Sequence, residues 1–581
     1  MIPHDAPFVL IDDQGAGGRQ TLFRDPVAII TVHRSDEIGP ALQRIRAETR
    51  GGRHAAGWIG YAAGNAFEPR AAASEADPLL WFGIFDRAIA LPPDALDQML
   101  PDPAGAWIGP PKIEPDRAAY EAAFARVQAY IAAGDIYQAN LSVRGRAALL
   151  GDPRAAYRRL RMAAQARWGA LIHDGARWIL SCSPELFVRT DGRRVLTRPM
   201  KGTAPRGRTP AEDDAYAAAL AGDPKERAEN LMIVDLLRND LSRVAVAGSV
   251  RVPSLFAVER YPTILQMTSD VAATLAPGRD AIDLVEALFP CGSITGAPKV
   301  RAMQVIEEVE TGPRNLYTGA IGMFAPDGAA SLNVAIRTLA MPAGSQEAKF
   351  GLGSAVVADS TAEREWRECL AKSAFVTAGQ RPIGLIETMR FEPGRGIVDR
   401  DRHLARMQGS ADLLGLPFDP SRIVAALNAH LAAVTEGRRV RLHLSFGGAI
   451  EVGSTALPPP PSGEVDVRIV ALPVDPSDFR LAHKTDDRLF YDDARKAAGT
   501  FEVAFARRDG LLTEGSFTNL FVRRDSLLLT PPAARGLLPG ILRARLLEQG
   551  EAIEADLTAD DLRDGFYVGN AVRGLLPARL A

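Results

Sequence analysis

The sequence predicts an α+β protein: a large mixed domain with extensive antiparallel sheets, followed by a smaller two-lobed domain. Three observations carry this. Up to about residue 380, strand-like and helical stretches alternate, as in mixed sheet–helix architectures. Near residue 380, AGQRP interrupts a helix that reads from about Ala362 to Val376. Further on, Pro458–Gly463 (PPPPSG) forms a polyproline stretch that can join neither a helix nor a central strand. The first interruption reads as a domain boundary. The second, at about 456–464, reads as a linker between two lobes. The expected strands include Trp178–Ser181, Leu186–Arg189, Ala320–Met323 and Leu332–Leu339. The expected helices include Asp116–Ala133, Lys225–Asn239, Asp280–Leu288 and Pro298–Val309. Asp116 suits an N-cap and Gly134 the residue past the helix end.

The totals set bounds. The chain has 581 residues, of which 47% are apolar and 24% charged, the composition of a soluble globular protein with ample length to bury large cores. Its net charge of −3 and scattered arginines give no electrostatic reason to bind nucleic acid or an anionic membrane. The cysteines, Cys182, Cys291 and Cys369, are odd in number and far apart. They argue against a disulfide framework and fit a reducing cytoplasm. No signal peptide and no run of about 18 apolar residues is visible, so a cytoplasmic protein is expected.

Several segments join chemical groups to glycines. Pro199–Thr203 (PMKGT) sets Lys201 beside a glycine and a hydroxyl. Gly292–Lys299 (GSITGAPK) is a small-residue loop running into a helix, of a kind that exposes backbone N–H groups to a carboxylate. By itself a tight turn before a helix explains it as well. Glu226 and Glu229 share one helix face, as do Glu365 and Glu368. Either pair alone reads as a solvated acidic face. Two helices each bringing a carboxylate to one Mg²⁺ is the functional alternative.

From about 112 to 378 these residues resemble the chorismate-utilising enzymes: anthranilate synthase component I, aminodeoxychorismate synthase component I and isochorismate synthase. The matching segments, in order, are GDIYQANLSVR (134–144), SCSPELF (181–187), RPMKGTAPRG (198–207), ERAENLMIVDLLRNDLSRV (226–244), GSITGAPKVRAMQVIEEVE (292–310), YTGAIG (317–322), NVAIRT (333–338) and GSAVVADSTAEREWRECLAKS (353–373). Residues 1–111, with GWIGYAAGNAFE (57–68), resemble the variable N-terminal part of these enzymes. The resemblance implies that Glu229 and Glu368 hold Mg²⁺, with Glu226 and Glu365 close by, and that the metal grips the ring carboxylate of chorismate. It implies that Tyr317 and Arg337 bind the enolpyruvyl carboxylate. Gly292, Ser293 and Gly353 would complete the anion pocket, with Lys299 and Lys372 near it. Aminodeoxychorismate synthases carry Lys within PxKGT, where anthranilate synthases usually have Ala; here it is Lys201, implied to attack C2 and displace the C4 hydroxyl before ammonia adds at C4. Isochorismate synthases place a water-activating Lys where this chain has Gln138, which favours ammonia over water. Many relatives have His in place of Gln266, within RYPTILQMTS. Gln cannot donate a proton as an imidazolium does, which leaves Glu185 as the candidate acid.

Beyond about residue 383, LIETMRF (385–391), RDRHLARMQGSADLLGL (400–416), LAHKTDDRLFYDDARKAAG (481–499) and FEVAFARRDGLLTEGSFTNLFV (501–522) follow one another. Read plainly, the second is an amphipathic surface helix. The last is a strand, a turn at Asp509-Gly510 and a second strand. Together they resemble the fold-type IV pyridoxal-phosphate enzymes, aminodeoxychorismate lyase in particular. The resemblance makes Lys484, rather than Lys496, the lysine that carries pyridoxal 5'-phosphate. It pairs Glu514 with the pyridinium nitrogen and assigns the cofactor phosphate to Arg406 and to the turns LPGIL and GNAVRG, with Ile541, Asn570 and Ala571. The first strands usual in this fold are missing or shortened before Leu385, so this domain is expected to borrow packing from the preceding chain.

The implied division is 1–111 and 112–378 for the synthase and 383–581 for the lyase-like part. The implied activity is synthesis of p-aminobenzoate from chorismate, with Mg²⁺ and pyridoxal phosphate. Its alternatives are an anthranilate synthase-like domain joined to a branched-chain or D-amino-acid aminotransferase-like domain, and a non-catalytic scaffold. No cysteine sits in a Gly-x-Cys-x-Gly turn, so ammonia is expected free or from a separate glutamine amidotransferase. The fold-type IV resemblance implies a homodimer.

Overall fold

The computed structural model describes residues 2–3, 6–15, 18–68, 78–92, 94–261 and 264–581; Pro262 and Thr263 of the RYPTILQMTS segment lie outside them. The chain divides into two compact units. The first comprises Met1–Leu100, Pro111–Ala147 and Tyr157–Gly379. The second comprises Pro101–Pro110, Ala148–Ala156 and Gln380–Ala581.

Two large sheets build the first unit. One runs, in spatial order, through Gly296–Ala297, Gln138–Leu150, Glu347–Val356, Thr338–Pro342, Arg177–Ser183, Trp168–His173, Phe8–Asp13, Gln20–Arg24 and Ile89–Ala90. The other runs through Met200–Pro205, Ile264–Thr274, Arg194–Arg198, Leu186–Asp191, Ala329–Val334, Ala320–Phe324, His54–Ile59, Leu80–Phe85 and Ala28–Val32. Registers such as Phe8↔His173 and Ala320↔Val334 are antiparallel. Val9, Phe23, Ile172 and Ile179 of the first sheet share one core with Trp58, Trp81, Phe85 and Ile321 of the second. The second sheet also buries Phe82, Ile84, Leu332 and Val334 in a core with Leu42, Ile233, Leu237 and Val285 from helices Ser35–Arg50, Pro224–Ser242 and Ala281–Leu288. Covered on both sides, strand Leu80–Phe85 is a continuous apolar run, LWFGIF, without alternation.

Side-chain chemistry sets the helix ends. Asp116 accepts from Ala119 N at 3.0 Å and caps Arg117–Ala132, and Gly134 follows at φ +81°. Asp280 and Asp283 form a reciprocal capping box at the start of Ala281–Leu288. The expected strand Leu332–Leu339 is two strands: Ala329–Val334 belongs to one sheet and Thr338–Pro342 to the other. Between them Arg337 stands at φ +48°, outside the extended region that a regular strand holds.

In the second unit, strands Gly396–Ile397, Leu385–Glu392, Arg438–Leu444 and Ile450–Ala456 form a small sheet. Leu385, Met389, Val440 and Leu442 pack on Leu404, Met407 and Ala411 of helix Arg400–Leu414 and on Ile423 and Leu427 of helix Pro420–Leu431. A second sheet runs Glu502–Ala506, Val465–Ala471, Gly574–Leu580, Phe566–Asn570, Asn519–Arg524, Leu527–Thr530 and Ala552–Glu554. The proline stretch joins Ile450–Ala456 of the small sheet to Val465–Ala471 of the second. The strand expected directly after Asp509-Gly510 begins only at Asn519. The buried Glu502 carboxylate draws in Ser516 N (2.9 Å), Ser516 Oγ (2.6 Å), Phe517 N (3.1 Å) and Thr518 Oγ1 (2.8 Å), and so holds the intervening residues as a loop.

This unit also takes in chain from before residue 157. Trp107 and Ile108 pair with Leu150 and Leu149. The Trp107 indole donates to Leu414 O at 3.1 Å and its ring lies 5.9 Å from Phe479 and 6.1 Å from Phe446. Gln380 clamps Ile108 through both amide atoms at 2.9 Å. Trp107→Ala is expected to destabilise the unit by about 3–5 kcal/mol, read as an earlier urea unfolding transition, whereas trimming the exposed Ile29 to Ala leaves that transition in place.

Candidate active sites

In the first unit, Asp223 caps helix Pro224–Ser242 through Lys225 N (2.8 Å) and Glu226 N (3.0 Å), which fixes Glu226 and Glu229 in its opening turns. Helix Ala362–Ser373 carries Glu365, which is buried, and Glu368. Burial raises the carboxyls of Glu226 and Glu229, and each is raised further by acidic neighbours, Asp223 and then Glu368 for the first, Glu226 and Glu365 for the second. The four glutamates therefore lie within one electrostatic neighbourhood. Among the described residues, no three acidic, histidine or cysteine side chains converge closely enough to hold an ion by themselves. Magnesium bound with an anionic substrate needs only one or two protein carboxylates, and the hard oxygen donors of these glutamates suit that cation.

Lys201 belongs to strand Met200–Pro205. Burial lowers its amine, while Glu229, Glu185 and Glu368 oppose the shift and Lys372 adds to it. It forms no ion pair with a described residue. The next residue, Gly202, stands at φ +82°, where an added Cβ would lie 3.0 Å from Glu226 Oε2; only glycine brings the lysine strand this close to the acidic helix. Gln266 donates to Gly202 O at 2.8 Å and accepts from Thr203 Oγ1 at 3.0 Å. Its amide braces the lysine strand, a role that its place in the sequence does not disclose. Glu185 is buried and raised by that burial, and its carboxylate takes a 2.6 Å hydrogen bond from Ser293 Oγ. Ser293 sits in the Gly292–Ile294 turn, which Asn140 Nδ2 and Arg314 Nη1 fasten through the carbonyls of Ser293 (2.7 Å) and Ile294 (3.0 Å). Gly292 allows that turn against helix Pro224–Ser242: a Cβ there would meet Leu236 at 2.4 Å.

Lys372 donates to Gly353 O and to Glu368 Oε1, each at 2.7 Å. The Tyr317 ring lies on Gly351, and its hydroxyl is near Gly353 and Ser142. Arg337 forms no ion pair with a described residue; burial lowers it, and Tyr261 and Cys182 are the groups that oppose this. Gln138 is fully buried and neither amide atom has a partner, a state that calls for a polar ligand. Lys299 is placed differently from these. Its ammonium is spent on Asp240 Oδ2 (2.6 Å) and Leu288 O (3.0 Å). A cavity of about 500 Å³ elsewhere in the unit is lined by Trp168, Arg189 and Asn333, and none of the expected site residues borders it.

In the second unit, burial and the charges of Arg488 and Arg406 lower the Lys484 amine to about 7. Burial raises Glu514 to about 7 although Tyr491 Oη donates to it at 2.5 Å. Lys496 is exposed on helix Leu489–Ala498. Arg406 grips Glu387 through Nε (2.9 Å) and Nη2 (2.7 Å) and reaches Pro539 O at 3.0 Å. That leaves two of its five N–H groups free to meet an anion. Pro539 and Gly540 lead into helix Ile541–Glu548, whose first amides point out of its N-terminus. Asn570 Oδ1 accepts from Val572 N and Arg573 N and shapes the 569–574 turn around Ala571. An amine near neutrality, a buried acid 30 residues on, and an arginine beside a helix N-terminus fit a phosphorylated pyridine aldehyde. The sequence reading missed Glu387, His403 and Tyr491. Only the i, i+3 spacing of His403 and Arg406 on one helix face signals them beforehand.

Burial acts to raise Glu387, and Arg406 and His403 outweigh it, bringing the carboxyl from 4.5 to about 2. A depressed carboxyl gives stability that is fully present above its unfolded pKa and is lost as pH falls through the folded one. Glu387 is expected to contribute about 3 kcal/mol at neutral pH. The unfolding free energy of this unit falls between about pH 4.5 and pH 2, and Glu387→Gln flattens that limb of the profile.

Comparison with known proteins gives a family for each part of the chain. Residues 6–378 match the model of the chorismate binding enzymes, and residues 384–581 that of amino-transferase class IV. Aminodeoxychorismate synthase component 1 of Salmonella typhimurium is 46% identical over 258 residues, 44% of this chain and 56% of the relative; the chain thus spans little more than half of that protein's length. The Klebsiella aerogenes protein of the same name is 39% identical over 340 residues, 55% of this chain and 75% of the relative. The crystal structure of anthranilate synthase component I from Streptococcus pneumoniae superposes with a TM-score of 0.54 at 26% identity, covering 65% of this chain and 93% of that one.

Proposed function

The chain belongs to the chorismate binding enzymes, and from that premise we propose that it makes p-aminobenzoate, the first unit aminating chorismate at C4 and the second removing pyruvate. The observation that carries the reading is Lys201: a lysine whose amine is lowered by burial, within the field of Glu185, Glu229 and Glu368 but bonded to none of them. An amine lowered in this way carries more of its free base, the nucleophilic form, than a solvated lysine does.

Lys201 Nζ would attack C2 of chorismate as both ring double bonds shift, C1=C2 to C1=C6 and C5=C6 to C4=C5, and the C4–O bond breaks. Glu185, raised by burial, would hold the proton that leaves with the hydroxyl as water. Ammonia would then form the C4–N bond, both double bonds would shift back, and the C2–N bond would break to free Lys201. Glu229 and Glu368 would hold Mg²⁺, which supplies a counter-charge for the ring carboxylate. Tyr317 and Arg337 would receive the enolpyruvyl carboxylate, with Gly353 and Lys372 beside it. Gln138 would offer its unpaired amide to substrate or ammonia. Lys201 and Gln138 favour this over formation of anthranilate or isochorismate.

In the second unit, pyridoxal phosphate supplies an electron sink when bound to Lys484. Glu514 would face its ring nitrogen, and Arg406, Ile541, Asn570 and Ala571 its phosphate. Lys484, once released, would take the proton from C4. The C3–O bond would break, and the ring would become aromatic as pyruvate leaves. Ammonia would come from solution or from a separate glutaminase. The chain would act in the cytoplasm as a homodimer; among its described residues no helix is long and apolar enough to cross a membrane.

The test is product identification with chorismate, Mg²⁺, ammonium and pyridoxal phosphate. p-Aminobenzoate with pyruvate is expected. Lys201→Ala should abolish it, and Lys484→Ala should leave aminodeoxychorismate to accumulate. Anthranilate as the aromatic product would refute the assignment of the first unit, and no turnover even with added glutaminase would favour a scaffold.

A further inference from the structure

Alternate residues of the small sheet in the second unit face away from its core. On strand Leu385–Glu392 these are Ile386, Thr388 and Arg390. Their cross-strand partners are His443, Arg441 and Arg439, followed on strand Ile450–Ala456 by Glu451, Gly453 and Thr455. One end of this face adjoins the Lys484 segment: Ile386 N donates to Lys484 O at 2.9 Å, and His443 Nε2 meets Asp486 Oδ2 at 3.1 Å. The other end adjoins the 569–574 turn, where Arg390 Nη1 reaches Val572 O at 3.4 Å. Arg573 of that turn is held below the ordinary guanidinium range by burial and by the charge of Arg439.

Arg390 and Arg439 stand directly opposite one another, an arrangement that destabilises a sheet. Glu392 neutralises Arg390 at 2.7 Å, but Arg439, Arg441 and Arg573 form no ion pair with a described residue. Arg439 gives one N–H to Thr455 Oγ1 (3.2 Å) and Arg573 one to Pro459 O (3.4 Å), so each guanidinium keeps donors for an anion. Arg441 lies two residues along the strand from Arg439, roughly 7 Å. Gly453, opposite Arg441, presents no side chain, and a Cβ there would meet open space. Two cationic points about that far apart, with room between, match two carboxylates on one small ring.

We propose that Arg439 and Arg441, with Arg573 beside them, form a subsite that binds the two carboxylates of a dianionic cyclohexadiene amine and holds its ring along the face between Lys484 and the 569–574 turn. This rests on the activity proposed for the second unit and names the residues that select its substrate.

The experiment uses the full-length holoenzyme in a Lys201→Ala background, supplied with 4-amino-4-deoxychorismate. Arg439→Gln and Arg573→Gln are each expected to raise KM about tenfold or more and to make kcat/KM less dependent on salt, with the absorption spectrum of the bound cofactor retained. Arg439→Lys should recover part of the loss. If Arg573→Gln fails to retain cofactor, the exposed Arg439 decides. Unchanged KM and unchanged salt dependence overturn the subsite. Absence of turnover by the parent chain overturns the lyase reading instead. The subsite is then decided by calorimetric titration with 3-(carboxymethoxy)benzoate: weaker binding to Arg439→Gln than to the parent supports it, and equal binding overturns it.

Discussion

A lysine buried away from water keeps its ordinary basicity only where a carboxylate bonds it, and the surroundings of Lys201 are arranged around that constraint. Lys201 is desolvated and sits within reach of several carboxylate fields, but it touches no carboxylate. Lys372 shows what contact does. Burial acts to lower it too, yet the bond to Glu368 raises it above the ordinary range. The separation of Lys201 from its neighbours is held by specific bonds: Ser293 occupies the Glu185 carboxylate, Gln266 ties down Gly202 and Thr203, and the backbone at Gly202 bends where only glycine bends easily. Replacing any of them changes a distance before it changes a charge.

The second unit meets the same constraint with different parts. Lys484 is depressed by burial and by two arginines, and one of these, Arg406, is itself held from two sides. Glu387 and Pro539 fix that guanidinium in place, and His403 holds Glu387 from the other side at 2.6 Å. The buried Glu502 does comparable work for the loop that presents Glu514. Neither carboxylate needs to touch a reacting atom; both spend their charge on geometry.

Much of this was legible in the sequence because it is local. The cap at Asp116 and the glutamate pairs at i, i+3 follow from spacing alone. What was not legible is long-range. Leu332–Leu339 has the apolar character of one strand, and only the assembled sheets reveal that the chain changes sheet at Arg337. Lys299 follows a glycine-rich loop, as an anion-binding lysine would, but Asp240, 59 residues earlier, captures its ammonium. Gln266 appears in the sequence only as a departure from His, and its bracing of the Lys201 strand depends on the register Thr203↔Gln266. Pairings of that kind are decided by tertiary structure, which no window of neighbouring residues contains.

The two units do not divide at one point along the chain. Pro101–Pro110 and Ala148–Ala156 lie within the first stretch of sequence but fold with the second unit, so the polypeptide crosses between them several times. A gene cut near residue 380 would therefore not yield two self-sufficient products: the shorter would lack Trp107 and Leu150 from its core. A fusion whose halves had grown together in this way could not readily revert to separate genes. The covalent link, however it arose, has become part of the architecture and would be inherited as a unit.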